Sequence, residues 1–383
     1  MIQALSLQNF KCFETLRLDL TPLTLLTGFN AAGKSTSLQT LLLLSQTLRG
    51  QHGVSELRLN GPLVSLGSPG DVINTAGGNR LALGITTPEV DLLWHFDVSE
   101  ENRRSLKVAQ LDVRAAGSSS SVQASSLNGI RPASADPFVQ DALILLDHLV
   151  FLSAARQVET DVFPIPSDVG GPPGDIGPIG QFAAWWLYQE GDSEVASGRR
   201  CKSDSASPTL RNQVNAWSGQ LFPGAEINAL PIPKTTLMRL ELRSGLTSDW
   251  SRPANIGYGI SYAFPILVAG LCASKGQPVI VDSPEAHLHP RGQSRIGSFL
   301  AQMASANAQI LVETHSDHVL NGIRIALREG VIDPAQVTIY FFTNRREAQV
   351  IRLSVDKNGN VSDWPEGFFD QSERDLANLA GWA

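Results

Sequence analysis

The amino-terminal part of the chain contains both strand-like and helix-like hydrophobic patterns. Residues 4–7 and 16–20 alternate apolar and polar side chains, which is typical of half-buried strands. Residues 23–26 form a continuous apolar run, and residues 37–44 have the composition of a helix. A glycine-rich loop separates this run from the helix, so the pattern predicts two half-buried strands followed by a strand, loop and helix.

The middle of the chain alternates strand-like and helix-like segments. Strand patterns occupy residues 57–63, 81–85, 92–98, 106–113 and 150–152. Helix patterns occupy residues 141–149, 182–189 and 209–219. The serine-rich residues 117–126 predict a surface loop, and the prolines and glycines of residues 164–180 exclude a regular element.

Two apolar strands of the carboxyl-terminal part end in polar tips. Residues 278–282 finish at Asp282, and residues 309–313 are followed by Thr314 and His315. Ligands of open α/β sheets bind at the carboxyl edge of the strands. We therefore expect Asp282 and His315 to flank one ligand.

The glycine-rich loop is the most specific motif of the sequence, because it matches G-x-x-x-x-G-K-[ST]. Backbone N–H groups of such a loop converge on phosphates, and the next helix adds the positive end of its dipole. Lys34 supplies a charge to the phosphates, and Ser35 offers a hydroxyl to Mg²⁺. The predicted nucleotide contacts in this loop are Asn30, Ala31, Ala32, Gly33, Lys34, Ser35 and Thr36.

Two further elements complete the candidate site. Asp282 has the position of a Walker B acid, so Ser35 and Asp282 are the predicted metal ligands. Upstream, Gly257, Gly259 and Ser261 open a helix-like apolar stretch, which predicts a second anion-binding helix start. Glycine-rich helix starts are common, so this second motif has little weight alone.

Composition narrows the class of protein. The chain has 383 residues, 42% of them hydrophobic, so it can bury one large core or two modest ones. Its three cysteines are far apart, which argues against a disulfide framework and fits a reducing cytoplasm. The longest apolar run, residues 263–273, is too short to span a membrane, and no export signal is visible. We expect a globular cytoplasmic protein.

Charge gives no general reason to bind nucleic acid, because the net charge is −7. A local basic patch of Arg324, Arg328, Arg345 and Arg346 leaves such binding open. Arg156, which follows a short strand, is interpreted as a solvated or salt-bridged side chain, and the alternative is a contact with phosphate or a partner.

The order of the motifs resembles ABC-type ATPases of the RecF, SMC and OLD-nuclease kind. That order is phosphate loop, glycine-serine signature, Walker B strand with Pro-Glu-Ala-His-Leu-His-Pro, and Thr-His-Ser strand. Residues 7–13 also resemble the usual start of this group. Residues 363–370 resemble the tail of a bacterial subfamily of uncharacterised function.

The resemblance implies an α/β fold of the P-loop NTPase class and the ABC-ATPase type. Such a fold has a mixed sheet flanked by helices, an antiparallel β subdomain at the amino-terminal side and a helical and loop insertion. We expect residues 1–50 to form the first part of the ATPase head. Residues 51–252 would be the insertion, and residues 253–383 the second part of the head.

The resemblance further implies an active site shared by a homodimer, with ATP and Mg²⁺ as cofactors. In such ATPases the signature serine of one head caps the γ-phosphate held by the other. That role falls to Ser261, beside Gly257 and Gly259, while His315 would contact the γ-phosphate and the attacking water. ATP binding would then close the dimer.

One residue departs from the pattern of the group. The catalytic glutamate usually follows the Walker B acid directly, but Ser283 stands at this position and cannot accept a proton at neutral pH. Glu285 is the alternative base, because geometry decides a base before its pKa does. The other interpretation is slow turnover, with ATP acting mainly as a switch. The expected catalytic residues are Asp282, Glu285 and His315.

Such a head is compatible with several functions. We expect an ATP-driven switch or sensor that controls a separate effector, a nuclease or toxin, in bacterial anti-phage defence or DNA maintenance. The alternative is an OLD-like nuclease acting directly on DNA, but residues 337–383 lack the Asp-x-Asp ligands of its nuclease domain. A metallohydrolase site is a minor alternative, because the H-E-x-x-H spacing is missing. It would use His287, His289, His315 and His318, with Glu285, Glu313 and Asp317 nearby in sequence.

Overall fold

The computed structural model describes residues 1–50, 53–74, 78–99, 105–115, 117–134, 136–156, 160–167, 171–202, 207–244, 249–343 and 350–382. Its strands are β1 (Ala4–Phe10), β2 (Phe13–Asp19), β3 (Leu23–Gly28), β4 (Arg80–Thr86), β5 (Val90–Val98), β6 (Leu106–Ala115), β7 (Ser118–Gln123), β8 (Leu127–Asn128), β9 (Arg131–Pro132), β10 (Val150–Leu152), β11 (Val162–Pro164), β12 (Glu226–Pro231), β13 (Leu237–Arg243), β14 (Pro278–Asp282), β15 (Gln309–Glu313), β16 (Val337–Phe342) and β17 (Val350–Leu353). Its helices are α1 (Lys34–Leu48), α2 (Pro69–Val72), α3 (Pro137–Asp147), α4 (Ala183–Gln189), α5 (Leu210–Leu221), α6 (Tyr258–Cys272), α7 (Pro290–Ser305), α8 (Asp317–Arg328) and α9 (Gln371–Leu379). Among the helices of these ranges, none combines the length and the apolar character that crossing a membrane requires.

An antiparallel sheet forms the amino-terminal side of the molecule. Its strand order is β2-β1-β4-β5-β6-β7, and every neighbouring pair is antiparallel. Alternate residues of β5, such as Leu92, Trp94 and Phe96, are buried, whereas the side chains between them are partly exposed. This is the burial pattern of a sheet with one covered face. The strands predicted at 81–85, 92–98 and 106–113 and the antiparallel subdomain are confirmed.

A mixed sheet forms the centre of the molecule. Its order is β10-β14-β15-β3-β16-β17, and all neighbours are parallel except β16 and β17. The four central strands are almost continuously buried, as expected for a parallel sheet with both faces covered. The predicted α/β fold with a mixed sheet flanked by helices is confirmed.

The two faces of the mixed sheet contribute to two different hydrophobic cores. Leu25, Val281 and Val312 belong to the core shared with α6, α7 and α8. The neighbouring residues Leu26 and Ile280 belong to the core shared with α1, α3 and the antiparallel sheet. This alternation follows from the two-residue period of a strand. The mixed sheet therefore connects the two halves of the molecule.

The segment expected as an insertion contributes strands to both sheets. Its strand β10 is the edge strand of the mixed sheet and pairs with β14, while β4 pairs with β1 of the antiparallel sheet. The three-stranded sheet β11-β13-β12 and helices α4 and α5 contribute to the same core as α6. The division at residues 50 and 252 stays a prediction.

Two predictions about local structure are wrong. Residues 57–63, predicted as a strand and turn, form the turn but no strand, because the Asn60 side-chain oxygen accepts hydrogen bonds from Ser65 and Gly67. Residues 117–126 are not a loop, because β7 pairs with β6 along its length. Its serines are exposed at the edge of the sheet, so their side chains need no apolar partner.

The carboxyl-terminal tail lies against the phosphate loop. Phe368 is buried and contacts Phe341 of β16, with ring centroids 5.5 Å apart. At Gly367, φ is +88° and an added Cβ would lie 2.4 Å from the Phe29 ring. The tail thus covers one side of the loop that contains Phe29.

Candidate functional site

Two glycines fix the shape of the loop between β3 and α1. At Gly28, φ is +128° and an added Cβ would lie 2.2 Å from the carbonyl oxygen of Phe342. At Gly33, φ is +101° and an added Cβ would lie 2.4 Å from the Phe13 ring. The Phe29 N–H donates to the Phe342 carbonyl at 3.0 Å and ties the loop to β16. A side chain at either glycine position would therefore displace the loop.

Lys34 is the first residue of α1, and its side chain is buried against this loop. Its ammonium donates hydrogen bonds to the carbonyls of Gly28 at 3.2 Å and Phe29 at 2.8 Å. Burial lowers the pKa of Lys34, and the charges of Glu313 and Asp282 oppose this shift. A buried ammonium with carbonyl partners at a helix start fits an anionic ligand such as phosphate.

The predicted nucleotide contacts line one cavity. The volume of this cavity is about 300 Å³. Its lining residues are Asn30, Ala31, Ala32, Gly33, Lys34, Ser35, Thr36, Glu313 and His315. The structure therefore brings the phosphate loop and His315 together, as the sequence predicted, and adds Glu313.

Oxygen atoms that suit Mg²⁺ are grouped at the start of α1. Asp282 lies directly opposite Glu313 in the parallel pairing of β14 and β15. Glu313 in turn accepts a hydrogen bond from the Ser35 hydroxyl at 2.8 Å. Carboxylate and hydroxyl oxygens are the ligands that Mg²⁺ prefers in proteins. The predicted ligands Ser35 and Asp282 thus fit this ion, with Glu313 between them.

Glu313 is the site residue that sequence reasoning missed. It is 6% exposed, and burial, followed by the nearby charge of Asp282, raises its pKa to about 7. The Ser35 hydrogen bond and the charge of Lys34 act in the opposite direction. Its sequence signal is an acid at the end of an otherwise apolar strand, directly before Thr314 and His315.

We expect the protein without nucleotide and metal to lose stability as the pH rises from 4.5 to about 7. The pKa of Glu313 in the folded state, about 7, exceeds its ordinary value of 4.5. The folded state therefore binds more protons than the unfolded state in this window, so the free energy of unfolding falls as the pH rises. The whole effect is roughly 3 kcal/mol at most.

Thermal unfolding in EDTA, followed across this pH window, measures the effect. Glu313→Gln has no ionisable group at this position, so the part of the pH dependence that Glu313 causes should disappear. Parallel pH profiles for the two proteins would show that Glu313 does not titrate as described.

Glu285 connects the tips of β14 and β15. One carboxylate oxygen accepts from the Thr314 hydroxyl at 2.7 Å, and the other accepts from the His315 backbone N–H at 2.9 Å. Burial and the charge of Lys34 lower the pKa of His315, so its imidazole is neutral at pH 7. The carboxylate of Glu285 therefore contacts the backbone of His315, and both are expected catalytic residues.

The helix start at Gly257 differs from the expectation in one respect. Helix α6 begins at Tyr258, and Gly257 precedes it with φ +106° and open space around it. Ser261 lies one turn inside the helix, is 4% exposed, and its hydroxyl has no hydrogen-bond partner among the described residues. To cap a phosphate of another molecule, this hydroxyl would first have to become accessible, so the predicted role of Ser261 stays a prediction. The exposed groups at this helix start are Gly257 and the side chain of Tyr258.

Arg156 is neither solvated nor salt-bridged, contrary to the interpretation from sequence. It is 6% exposed, and one guanidinium nitrogen donates to the carbonyls of Asp282 at 2.5 Å and Ser283 at 3.1 Å. Burial lowers the pKa of Arg156 to about 10, against the charges of Asp282 and Glu285. The side chain therefore supports the turn that follows β14 at Asp282 and Ser283, which we call the Walker B turn. Sequence spacing could not reveal this contact.

The neighbouring histidines have packing and capping contacts. The His287 ring lies against Tyr262, with centroids 4.4 Å apart. The Nδ1 atom of His289 accepts the Arg291 backbone N–H at 3.3 Å at the start of α7. In the described part of the chain, no group of three or more His, Cys, Asp and Glu side chains is arranged to hold a metal ion.

The expected basic patch is only partly available. The Arg324 guanidinium donates to the Gly359 carbonyl at 2.6 Å and lies over the Trp364 ring. Arg328 is exposed. The other two members, Arg345 and Arg346, lie outside the described residues.

Three family models match separate parts of the sequence. Residues 1–104 match "AAA ATPase domain", and residues 199–321 match "AAA domain, putative AbiEii toxin, Type IV TA system". Residues 332–379 match "Protein of unknown function (DUF3696)", which covers the tail beside the phosphate loop. No curated protein matches the sequence of the chain.

Among solved structures, the chain is similar to head domains of SMC proteins. An SMC head bound to the C-winged helix domain of ScpA has 14% identity and a TM-score of 0.54, over 93% of this chain and 98% of that one. The SMC head domain from Thermotoga maritima has 12% identity and a TM-score of 0.44, over 93% and 99%. An Smc head with an extended coiled coil, bound to the C-terminal domain of ScpA derived from Pyrococcus furiosus, has 13% identity and a TM-score of 0.48, over 99% of both chains.

The fold is that of an ABC-type ATPase head, and two separate parts of the chain match AAA ATPase domain models. The order of the motifs resembles the RecF/SMC group, and the similarity of the fold to an SMC head agrees with that resemblance.

Proposed function

We propose that this chain binds Mg²⁺ and ATP, hydrolyses ATP slowly as a homodimer, and acts as a switch that controls a separate effector. The observation that carries the proposal is the convergence at one edge of the mixed sheet. The phosphate loop, Asp282, Glu313 and His315 all lie where β3, β14 and β15 end. This is the edge at which α/β sheets bind their ligands.

Ser35 and Asp282 would hold the metal ion, which neutralises phosphate charge when bound. Glu313 would accept hydrogen bonds close to that ion. Lys34 would exchange its carbonyl partners for phosphate oxygens, because an anion is a stronger acceptor for a buried ammonium. Lys34, Ser35 and Glu313 already line the cavity, and Asp282 lies opposite Glu313 in the strand pairing.

Glu285 would orient the attacking water. Each of its oxygens accepts one hydrogen bond from the tip of β15, and a carboxylate oxygen can accept another. Ser283 cannot act as a base, and its hydroxyl instead donates to the Asp282 carboxylate at 2.9 Å. Slow turnover is the expected consequence, which suits a switch better than a motor.

A second copy of the chain would complete each site. The exposed start of α6, at Gly257 and Tyr258, would face the phosphates held by the partner copy, so that helix N–H groups replace the buried hydroxyl of Ser261. Gly257 has no atom within 4 Å of an added Cβ, which leaves room for a close approach. Dimerisation would then depend on ATP.

The effector is the least specified part of the proposal. The match of residues 199–321 to a domain described by the AbiEii toxin and a type IV TA system favours a role in defence, with a nuclease or toxin as output. DNA maintenance is the other setting in which a head of this class would act. A nuclease of the OLD kind, acting directly on DNA, is the second candidate function. Digestion of plasmid DNA by the purified chain with Mg²⁺ would favour it.

Glu285→Gln tests the hydrolytic part of the proposal. We expect turnover to fall by at least about tenfold and the ATP-bound dimer to persist, because glutamine cannot take a proton from water. Light scattering with ATP and ADP measures the dimer, and phosphate release measures turnover. Glu313→Gln provides the comparison, because unchanged turnover in Glu285→Gln and a loss in Glu313→Gln would assign the base to Glu313. A wild-type protein that stays monomeric with ATP would reject the switch itself.

A further inference from the structure

We propose that Arg156 is a positioning residue that couples the exposed start of α6 to the Walker B turn. This inference rests on the function proposed above. Arg156 follows β10, in the segment expected as an insertion, yet it donates to the carbonyls of Asp282 at 2.5 Å and Ser283 at 3.1 Å. A residue from the middle of the chain thus holds the backbone that presents the Walker B acid.

Burying the charged Arg156 side chain costs free energy of folding. Its Nε and Nη1 atoms are buried and have no hydrogen-bond partner among the described residues. Within those residues, no carboxylate oxygen lies within 4.0 Å of the guanidinium to form an ion pair. A buried cation with this few partners destabilises a fold relative to an apolar side chain of similar size. What distinguishes Arg156 from an apolar side chain of similar size is its bonds to the carbonyls of Asp282 and Ser283 and its contact with the Tyr262 ring.

Aromatic contacts connect Arg156 to the surface. The guanidinium lies over the Tyr262 ring, 5.5 Å from its centroid. The Tyr262 ring contacts His287 with centroids 4.4 Å apart, and His287 contacts Tyr258 with centroids 6.1 Å apart. A continuous series of side chains thus runs from exposed Tyr258 to the carbonyl of Asp282. We call Tyr258, His287, Tyr262 and Arg156 the coupling stack.

The inner end of the coupling stack meets a turn with unusual backbone geometry. Ser283 has φ +51°, a conformation that non-glycine residues seldom adopt, and its N–H donates to the Glu313 carbonyl at 2.8 Å. Asp282 and Glu285 flank this residue, so a movement of the turn shifts both carboxylates. A partner that contacts Tyr258 would therefore influence the Walker B acid and the proposed base through Arg156.

Variants of Arg156 and Tyr262 in the full-length chain test the coupling. We expect Arg156→Lys and Arg156→Met to bind a fluorescent ATP analogue within about threefold of wild type, while turnover at saturating ATP falls at least about tenfold. Lysine keeps the charge and can donate to carbonyls, but it lacks the planar guanidinium that covers the Tyr262 ring. Tyr262→Phe keeps the ring and should retain turnover, whereas Tyr262→Leu should lose it.

Arg199 provides a matched control. It is also buried, and its guanidinium also donates to backbone carbonyls, those of Ala273 and Ala306 after α6 and α7. Arg199→Met should lower the melting temperature and leave turnover per folded molecule close to wild type. Arg156 variants that behave like Arg199→Met, or that lose binding and turnover equally, would overturn the proposal. A wild-type chain that binds no ATP would instead reject the proposed function, so the two failures are distinct.

Discussion

Replacing Lys34 by alanine is expected to abolish measurable ATP binding. The Lys34 ammonium is buried at the start of α1, donates to two carbonyls of the phosphate loop, and belongs to the lining of the cavity. Charge-assisted bonds to phosphate contribute roughly 3 kcal/mol. Their loss in the variant corresponds to binding that is about a hundredfold weaker or more. Isothermal titration calorimetry with ATP and Mg²⁺ measures the loss.

Lys275→Ala is the control for this variant. Lys275 is exposed and precedes β14, at the edge of the mixed sheet opposite the phosphate loop. It should bind ATP like the wild type. Retained affinity in Lys34→Ala, with the variant folded by circular dichroism, would show that the nucleotide does not lie on this loop.

Tyr258→Arg is expected to separate nucleotide binding from dimerisation. Tyr258 stands exposed at the start of α6 and away from the phosphate loop of its own chain. An arginine there should leave ATP affinity within about twofold of wild type and prevent the ATP-dependent dimer, so turnover falls by at least about tenfold. The buried Ser261 is unsuitable for this test, because an arginine at a buried position would unfold the helix packing.

Tyr188→Arg is a closely matched control for that substitution. Both tyrosines are 45% exposed, and Tyr188 lies on α4, outside the proposed interface. Analytical ultracentrifugation with ATP should find a dimer for Tyr188→Arg and a monomer for Tyr258→Arg. Equal dimerisation of the two variants would remove the start of α6 from the interface.

The parts of the site that could be predicted from sequence are local. The phosphate loop is one continuous motif with glycines that the backbone needs at Gly28 and Gly33, and each has φ above +100° in the structure. Asp282 and His315 could be placed at one edge because parallel strands end together. The apolar runs predicted the strands β3, β14 and β15, and the family resemblance implied the mixed sheet to which they belong.

The missed features depend on distant parts of the chain. Glu313 acquires its role from the register of β15 against β14, and Arg156 from the pairing of β10 with β14. Neither pairing has a signal in local composition. The orientation of Ser261 depends on the residue at which α6 begins, since a shift of one residue turns a helical side chain by about 100°. Serine-rich β7 was missed because an edge strand needs few apolar side chains.

The position of β3 between β15 and β16 also determines when a new chain can bind nucleotide. Ser35 and its partner Glu313 lie 278 residues apart in sequence. Both strands that flank β3 are therefore translated long after the phosphate loop, and until then the loop has no sheet to hold it. Before β15 and β16 are in place, nucleotide has no assembled site that it could stabilise.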